Sequence, residues 1–179
     1  MYTTPFGEAL GGQTLTAALL NDWFDRAIPL RVSKTADESV TSVAAVQNDD
    51  VLVLPVAANI DYEVWLMVAC ATATSATPDL RAGFSFPAGA TFSGNIWAPD
   101  AGATSAVATT SYAGFAGAAS GFNTPRGLVN GSNLVYLYQG VLKMGGTAGN
   151  FQFQWSQNTS TAEATTIKAG SELVLRRLK

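Results

Sequence analysis

The stretch Phe151-Gln152-Phe153-Gln154-Trp155-Ser156-Gln157 alternates apolar and polar side chains without a break. Successive side chains of a strand point to opposite sides, so its aromatic residues share one face of a predicted strand and its polar residues share the other. An aromatic face of this kind is typical of a sheet that covers a hydrophobic core. The opposite face is polar and carries no charge, which predicts a neutral outer surface.

Short runs rich in Val, Leu, Ile, Phe and Trp recur from residue 30 onward, separated by clusters of Ser, Thr, Gly, Asn and Asp. This pattern is typical of an all-β domain, and about eight to ten strands suit an antiparallel β-sandwich of two sheets. We predict strands near residues 31–35, 51–56, 62–71, 80–86, 90–97, 107–112, 134–144, 150–157, 164–168 and 172–178. The glycine-rich segment between residues 144 and 150 predicts that the strands on either side of it pair as a hairpin.

The predicted strand at residues 62–71 is almost continuously apolar. Such a strand is covered on both faces, since an antiparallel strand with one wet face alternates apolar and polar residues. Two covers are open to it: the second sheet together with a helix, or a neighbouring subunit.

One segment, residues 14–28, has the apolar spacing of an amphipathic helix. Thr14 or Thr16 can cap its start, and Pro29 ends it. The helix either lies on the rest of the domain or acts as an arm that docks on a partner. We assign residues 1–30 to an N-terminal arm with this helix and residues 31–179 to the sandwich domain. The candidate attachment residues are the large apolar residues of the helix: Leu15, Leu19, Leu20, Trp23 and Phe24.

The composition excludes whole classes of chemistry. The 179 residues include 10 Lys plus Arg, 13 Asp plus Glu, no His and one Cys, with a net charge of −3. Without histidine there is no His general base and no imidazole ligand, and one cysteine cannot build a thiolate metal site. A small negative net charge gives no field that attracts nucleic acid. We therefore expect a protein that is not an enzyme, with no cofactor, no metal and no nucleic-acid partner.

Two acidic pairs and the cysteine are the remaining reactive groups. A glycosidase works with two carboxyls and needs no histidine, but Asp37-Glu38 and Asp49-Asp50 lie in the turn-like stretches TADES and QNDD. Asp and Asn in turns bind their own backbone, so we interpret both pairs as turn residues. Cys70 lies within VWLMVACA, where a thiol behaves as a small buried hydrophobe.

The longest apolar runs, residues 51–58 and 64–71, are eight residues each, whereas a membrane-spanning helix needs about 20. We expect no membrane insertion. The first residues, MYTTPFGEAL, show no basic segment followed by an apolar one, which indicates a chain without a Sec-type leader that is made in a cytoplasm.

Four aromatic residues in the middle of the chain are candidates for contact with another molecule: Trp97, Tyr112, Phe115 and Phe122. Aromatic side chains of this kind are used in cores and in subunit interfaces. They also serve as sugar-binding platforms, and both interpretations stay open.

Four segments in order resemble one known family. These segments are KTADESVTS (34–42), QNDDVLVLPVAANIDYEV (47–64), AGFSFPAGATFSG (82–94) and FQFQWSQNTSTAEATTIKAGSELVLRRL (151–178). They are similar to small β-sandwich modules in virion proteins of tailed phages of actinobacteria, which are minor capsid or minor tail proteins. The resemblance implies a jelly-roll-like, trimeric domain on the exterior of the virion, without catalytic residues. A head decoration protein attached to the major capsid protein is the first expectation, and a minor tail or fibre-type protein that binds a host receptor or cell-surface glycan is the alternative.

Overall fold

The computed structural model describes residues 16–72, 78–99, 110–117, 124–126 and 134–178. These residues form one helix and twelve strands: α1 (Ala17–Ala27), β1 (Leu30–Ser33), β2 (Glu38–Val40), β3 (Gln47–Val56), β4 (Tyr62–Thr72), β5 (Leu80–Ser85), β6 (Thr91–Pro99), β7 (Thr110–Gly117), β8 (Thr124–Arg126), β9 (Leu134–Lys143), β10 (Gly149–Gln157), β11 (Thr165–Ile167) and β12 (Glu172–Arg177). Among them, no helix has the length and hydropathy needed to cross a membrane.

The strands form two antiparallel sheets. The small sheet has the order β3-β10-β5-β8, and the large sheet has the order β1-β12-β4-β9-β6-β7. β11 and β12 both pair with β4, one after the other along the same edge, and β2 and β1 pair with them in turn. The first and last strands of the described chain therefore widen the large sheet together.

The strand order identifies the fold. When β3 to β10 are counted from one to eight, the small sheet has the order 1-8-3-6, and the part of the large sheet from β4 to β7 has the order 2-7-4-5. Two four-stranded sheets connected in this way form the double Greek key of a jelly roll. The predicted all-β, jelly-roll-like antiparallel sandwich is confirmed.

The core lies between the two sheets and is rich in aromatic residues. Phe151, Phe153 and Trp155 are fully buried, as their alternation with polar residues predicts. The ring of Phe84 is at the centre, 5.0 Å from the ring of Phe151 and 5.0 Å from the ring of Phe92, which comes from the large sheet. The aromatic face of β10 therefore joins the two sheets.

The predicted hairpin between residues 134–144 and 150–157 is wrong. β9 pairs with β4 and β6 in the large sheet, whereas β10 pairs with β3 and β5 in the small one. The glycines between them let the chain cross from one sheet to the other against the turn at residues 87–89. A Cβ atom on Gly145 would lie 2.8 Å from the carbonyl oxygen of Gly89, and one on Gly149 would lie 2.9 Å from the ring of Pro87. The glycines are needed for this close packing, not for a hairpin turn.

The interpretation of QNDD as a turn is also wrong, because Gln47–Val56 is strand β3. The register with β10 shifts there: Gln152 lies opposite Val53, but Gln154 lies opposite Asn48. The extra residues form a bulge that frees backbone N–H groups, and the carboxylate of Asp49 accepts two of them. Asp49 therefore does bind its own backbone, inside a bulged strand. The short strands β2 and β8 were not predicted, and β7 lies at Thr110–Gly117 instead of residues 107–112.

Candidate functional site

An apolar patch covers the outer face of the large sheet on β4 and β9. The register places Met67 opposite Leu137 and Trp65 opposite Gln139, and all of these positions point away from the core. We call the exposed apolar residues of this face the outer patch: Trp65 (45 % exposed), Met67 (39 %), Val135 (52 %), Leu137 (41 %) and Val141 (36 %). Within the described chain, only the inner face of β4 is therefore covered.

Polar and paired charged groups surround the outer patch. On the β6 side, Asn95 lies opposite Gln139. On the β12 side, Arg176 forms an ion pair of 2.5 Å with Glu63, and Arg31 forms an ion pair with Glu172. The patch therefore has an uncharged centre and a polar rim, which is the anatomy of a protein interface.

Helix α1 begins as predicted and lies at one end of the sandwich. The hydroxyl of Thr16 accepts a hydrogen bond from the backbone N–H of Leu19 at 3.2 Å, which caps the helix. It contacts the sandwich at β12, where Asp25 forms an ion pair of 2.7 Å with Arg177. Of the helix side chains that the structure describes, none belongs to the buried core cluster.

The candidate attachment residues of the helix differ in exposure. Leu19, Leu20 and Trp23 are half-buried, whereas Phe24 is 55 % exposed. Leu15 lies outside the described residues. A cavity of about 500 Å³ opens between the end of the helix and the sandwich, and its walls include Phe24, Ile28, Leu30, Pro55 and Tyr62.

The structure brings two of the four candidate aromatic residues together by register. Trp97 is half-buried on the outer face of β6, next to Leu137 of the outer patch, and Tyr112 lies opposite it on β7. Phe115 lies opposite Gly94 and is three residues from Tyr112 along β7. Positions an odd number of residues apart belong to opposite faces of a strand, so Tyr112 and Phe115 do not share a face. Phe122 lies outside the described residues.

A buried ionic cluster joins three segments near the N-terminal strands. The ammonium nitrogen Nζ of Lys34 lies 3.0 Å from Oδ1 and 2.9 Å from Oδ2 of Asp49, and 2.5 Å from Oε2 of Glu38. Lys34 follows β1, Glu38 begins β2, and Asp49 lies in the bulge of β3. Lys34 is 3 % exposed and Asp49 is 0 % exposed. We call these three residues the Lys34 cluster.

The carboxylate of Asp49 accepts hydrogen bonds on both oxygens. Its Oδ1 receives the backbone N–H groups of Val51 at 3.0 Å and Leu52 at 2.8 Å. Its Oδ2 receives the indole N–H of Trp155 at 3.2 Å. Burial lowers the pKa of Lys34, but the hydrogen bonds and charges of Glu38 and Asp49 outweigh it, and the pKa lies above its ordinary value.

Cys70 is fully buried, as predicted, and its thiol lies 3.8 Å from the carbonyl oxygen of Leu134. Burial raises the pKa of this thiol to about 12, so it stays protonated and unreactive at neutral pH. Among the residues that the structure describes, no group of three His, Cys, Asp or Glu side chains is placed to hold a metal ion.

The sequence predicted a cover for the strand at residues 62–71 but did not identify the outer patch as a surface. The available signal was the run LVYLY at the start of β9. Like β4, this run is apolar on both faces of the strand. The Lys34 cluster had no such signal. A lysine and two acidic pairs look like surface residues until the fold shows that two of the side chains are buried.

The comparisons with known proteins found similar structures but no similar sequence. No protein-family model matches the chain, and no curated protein matches it. A chain of the structure of infectious bursal disease virus Gx strain has 8 % sequence identity and a TM-score of 0.22 over 84 % of this chain. A chain of the infectious bursal disease virus VP2 subviral particle has 12 % identity and a TM-score of 0.21 over 83 % of this chain. This chain covers 40 % and 42 % of those two chains. The fold assignment rests on the strand order given above.

Proposed function

We propose that this chain is a non-enzymatic structural protein of a tailed-phage virion, a homotrimeric decoration or minor capsid protein on the exterior of the head. The observation that carries the proposal is the outer patch. It is an uncovered apolar face on two interior strands of a jelly-roll sandwich. A face of this extent fits a protein partner better than a small ligand.

The size of the outer patch supports a subunit contact. Val135 and Val141 are six residues apart on β9, so the patch is about 20 Å long. Contiguous apolar surface beyond a few hundred Å² is rare on monomers and marks an interaction site. A standard interface buries about 800 Å² on each partner, so we expect the polar rim to be covered together with the patch.

The electrostatics of the face favour a second copy of the chain as its cover. Glu63 and Arg176 neutralise each other at the rim, and so do Arg31 and Glu172. A copy that packs against the patch therefore meets these four charges as neutral pairs, which lowers the desolvation penalty. Lys143, exposed on the same face of β9, lies two residues beyond Val141 at the end of the patch. The low charged fraction of the whole chain, 13 %, agrees with a protein whose surface is shared between symmetry mates.

Helix α1 is the proposed attachment element toward the major capsid protein or the tail proteins. It is amphipathic, it contributes nothing to the buried core, and Phe24 and Ile28 remain largely exposed. Exposed apolar residues on a helix fit a groove on a partner protein.

Two measurements together test the proposal. Mass spectrometry of purified particles of the virus that encodes the chain should detect it, and sedimentation velocity of the isolated protein should give the mass of a trimer. A monomer that is absent from the particles would contradict the proposal. Density for the chain on the head or on the tail separates the decoration protein from the tail protein.

A second candidate function is a minor tail or fibre-type protein that binds a host receptor or cell-surface glycan. It is favoured by the register of Trp97 with Tyr112, which places two aromatic residues side by side on adjacent strands. Sugars stack on aromatic rings, and polar groups such as Asn95 complete such sites. Saturable binding on a glycan array that Trp97→Ala abolishes would favour this function, and no binding to any glycan or host cell would remove it.

A further inference from the structure

The Lys34 cluster has the arrangement of a reaction centre that joins two side chains of the same chain. We propose that Nζ of Lys34 and Cγ of Asp49 form an intramolecular amide bond, with Glu38 as the group that carries the protons. The reaction is a covalent self-modification and does not depend on the proposed function.

Proximity is the first argument. Nζ lies within 3.0 Å of both carboxylate oxygens of Asp49, and Cγ lies between those oxygens. The nitrogen is therefore held near Cγ at about the separation, 3–3.5 Å between reacting atoms, that favours reaction between two groups fixed in place. The backbone from which this side chain starts is held on both sides: the N–H of Lys34 donates to Ser171 and its carbonyl accepts from Gly170, each at 2.8 Å.

Activation of the carboxyl group is the second argument. An amine that attacks Cγ drives negative charge onto one oxygen of the tetrahedral intermediate. Oδ1 already receives two backbone N–H groups, from Val51 and Leu52, which is the arrangement of an oxyanion hole. The indole N–H of Trp155 holds the second oxygen, Oδ2, and fixes the plane of the carboxyl group.

The protons balance without any additional reactant. The ammonium of Lys34 gives one proton to Oε2 of Glu38, 2.5 Å away, and becomes a nucleophilic amine. Glu38 passes that proton to Oδ2, so Asp49 is a neutral carboxyl group when the N–Cγ bond forms. The second proton of the nitrogen then passes to the same oxygen, and the Cγ–Oδ2 bond breaks. A lysine ammonium and an aspartate carboxylate become one amide and one water molecule, and the amide keeps one N–H.

Burial supplies the driving force. An ammonium and a carboxylate with almost no exposure carry a desolvation penalty that an amide does not have. The side chain of Glu38 is 19 % exposed, so the cluster has one contact with solvent through which water can leave. The same reaction is not expected for exposed pairs, where water stabilises the ions.

The chain contains a matched internal control. Lys168 and Asp37 form an ion pair with the same N–O distance, 2.9 Å, but their side chains are 32 % and 48 % exposed. No second carboxylate contact of Lys168 and no pair of backbone donors on one Asp37 oxygen is found there in the described structure. Lys168 should therefore remain a free amine.

The experiment is mass spectrometry of the denatured, purified full chain. An amide bond lowers the intact mass by one water molecule. Trypsin cannot cleave after an acylated lysine, so residues 32–81 should appear as one peptide that lacks one water, since position 81 is the next Lys or Arg after Lys34. Cleavage after Glu38 should then leave two peptides joined through Lys34 and Asp49. Cleavage after Lys168 should proceed normally.

Glu38→Gln keeps the size of the side chain and removes its basicity, so this variant should show the full mass and normal cleavage after Lys34. Lys34→Arg should also show the full mass, and circular dichroism should show both variants folded. A wild-type chain of full mass that trypsin cleaves after Lys34 would overturn the proposal and leave the cluster a buried salt bridge. A Glu38→Gln chain that still lacks one water would overturn the role of Glu38.

Discussion

Met67 on β4 and Leu137 on β9 lie directly opposite each other on the outer face of the large sheet, and each is about two-fifths exposed. Both strands are interior strands of that sheet, with β12 on one side and β6 on the other. The pair therefore forms the centre of the outer patch on the most strongly paired part of the sandwich.

We predict that Leu137→Glu dissociates the proposed trimer without unfolding the subunit. A carboxylate at the centre of an apolar contact loses its hydration when the contact forms, so association weakens by several kcal/mol. The side chain is exposed in the single subunit, so the free energy of unfolding should change by less than about 1 kcal/mol. Sedimentation velocity measures the first effect, and urea denaturation of the monomeric variant measures the second.

Thr147→Glu is the matched control for this prediction, because it adds the same charge at an exposed position in the segment between β9 and β10. It should leave the sedimentation coefficient unchanged. A Leu137→Glu protein that sediments like the wild type would show that the outer patch is not the subunit contact.

Much of the fold could be predicted from the sequence because a strand shows itself either as an alternation of apolar and polar residues or as a short apolar run. The aromatic face of β10 and the apolar runs of β4 and β9 each gave the correct strand within a residue or two. Strand partners could not be predicted in the same way, since partners in a jelly roll lie far apart in sequence. The segment between β9 and β10 therefore looked like a hairpin although it crosses between sheets.

The candidate site was less predictable for a related reason. A pattern shows which residues share a face, but it does not show what covers each face. The sequence therefore left open whether Trp65 and Met67 are covered by the second sheet and a helix or by a neighbouring subunit, and both side chains are exposed in the single chain. The burial of Lys34 depends on the bulge in β3 and on the segment between β11 and β12, which no local pattern brings together. Residues 17–27 form the helix that was predicted at residues 14–28, because its apolar spacing and its capping Thr16 are local features.

Deletion of residues 1–29 should leave the sandwich folded and abolish its attachment to the particle. The contact of the helix with β12 centres on the ion pair between Asp25 and Arg177, and an exposed pair contributes about 0.2–1 kcal/mol. The free energy of unfolding in urea should fall by about that amount. Incorporation into particles, measured by mass spectrometry, should be lost.

The comparison variant for this deletion is Phe84→Ala. It removes a fully buried ring that contacts Phe92 and Phe151 and should destabilise the protein by about 3–5 kcal/mol. A deletion of residues 1–29 that destabilises as strongly as Phe84→Ala would mean that the helix is part of the core.

Stability should fall in acid through the junction of β1 and β12. The hydroxyl of Ser33, and then the guanidinium of Arg31, hold the pKa of Glu172 below its ordinary value of about 4.5. A carboxyl whose pKa is lowered on folding stabilises the protein fully above its unfolded pKa, and this stabilisation disappears as the pH falls through the folded pKa. We expect Glu172→Gln to flatten the decrease in urea stability below pH 4.5.

Ser33→Ala should produce part of the same flattening, because it removes the donor with the largest effect on Glu172. If neither variant changes the slope of stability against pH between pH 3 and 5, the ion pair of Glu172 does not contribute to the stability of the fold.

The amide bond between Lys34 and Asp49 should be visible in the stability of the protein as well as in its mass. These residues are 15 positions apart, and a covalent link that closes a loop of this length stabilises a protein by about 3 kcal/mol because it restricts the unfolded chain. Glu38→Gln should therefore lower the free energy of unfolding in urea by about that amount.

Glu38→Gln should also raise the urea m-value, since an unlinked chain exposes more surface when it unfolds. A lost ion pair alone would shift the midpoint and leave the m-value unchanged, so the m-value separates the covalent bond from a buried salt bridge. Asp37→Asn, which breaks only the exposed pair with Lys168, should leave the m-value unchanged and lower the free energy of unfolding much less than Glu38→Gln does.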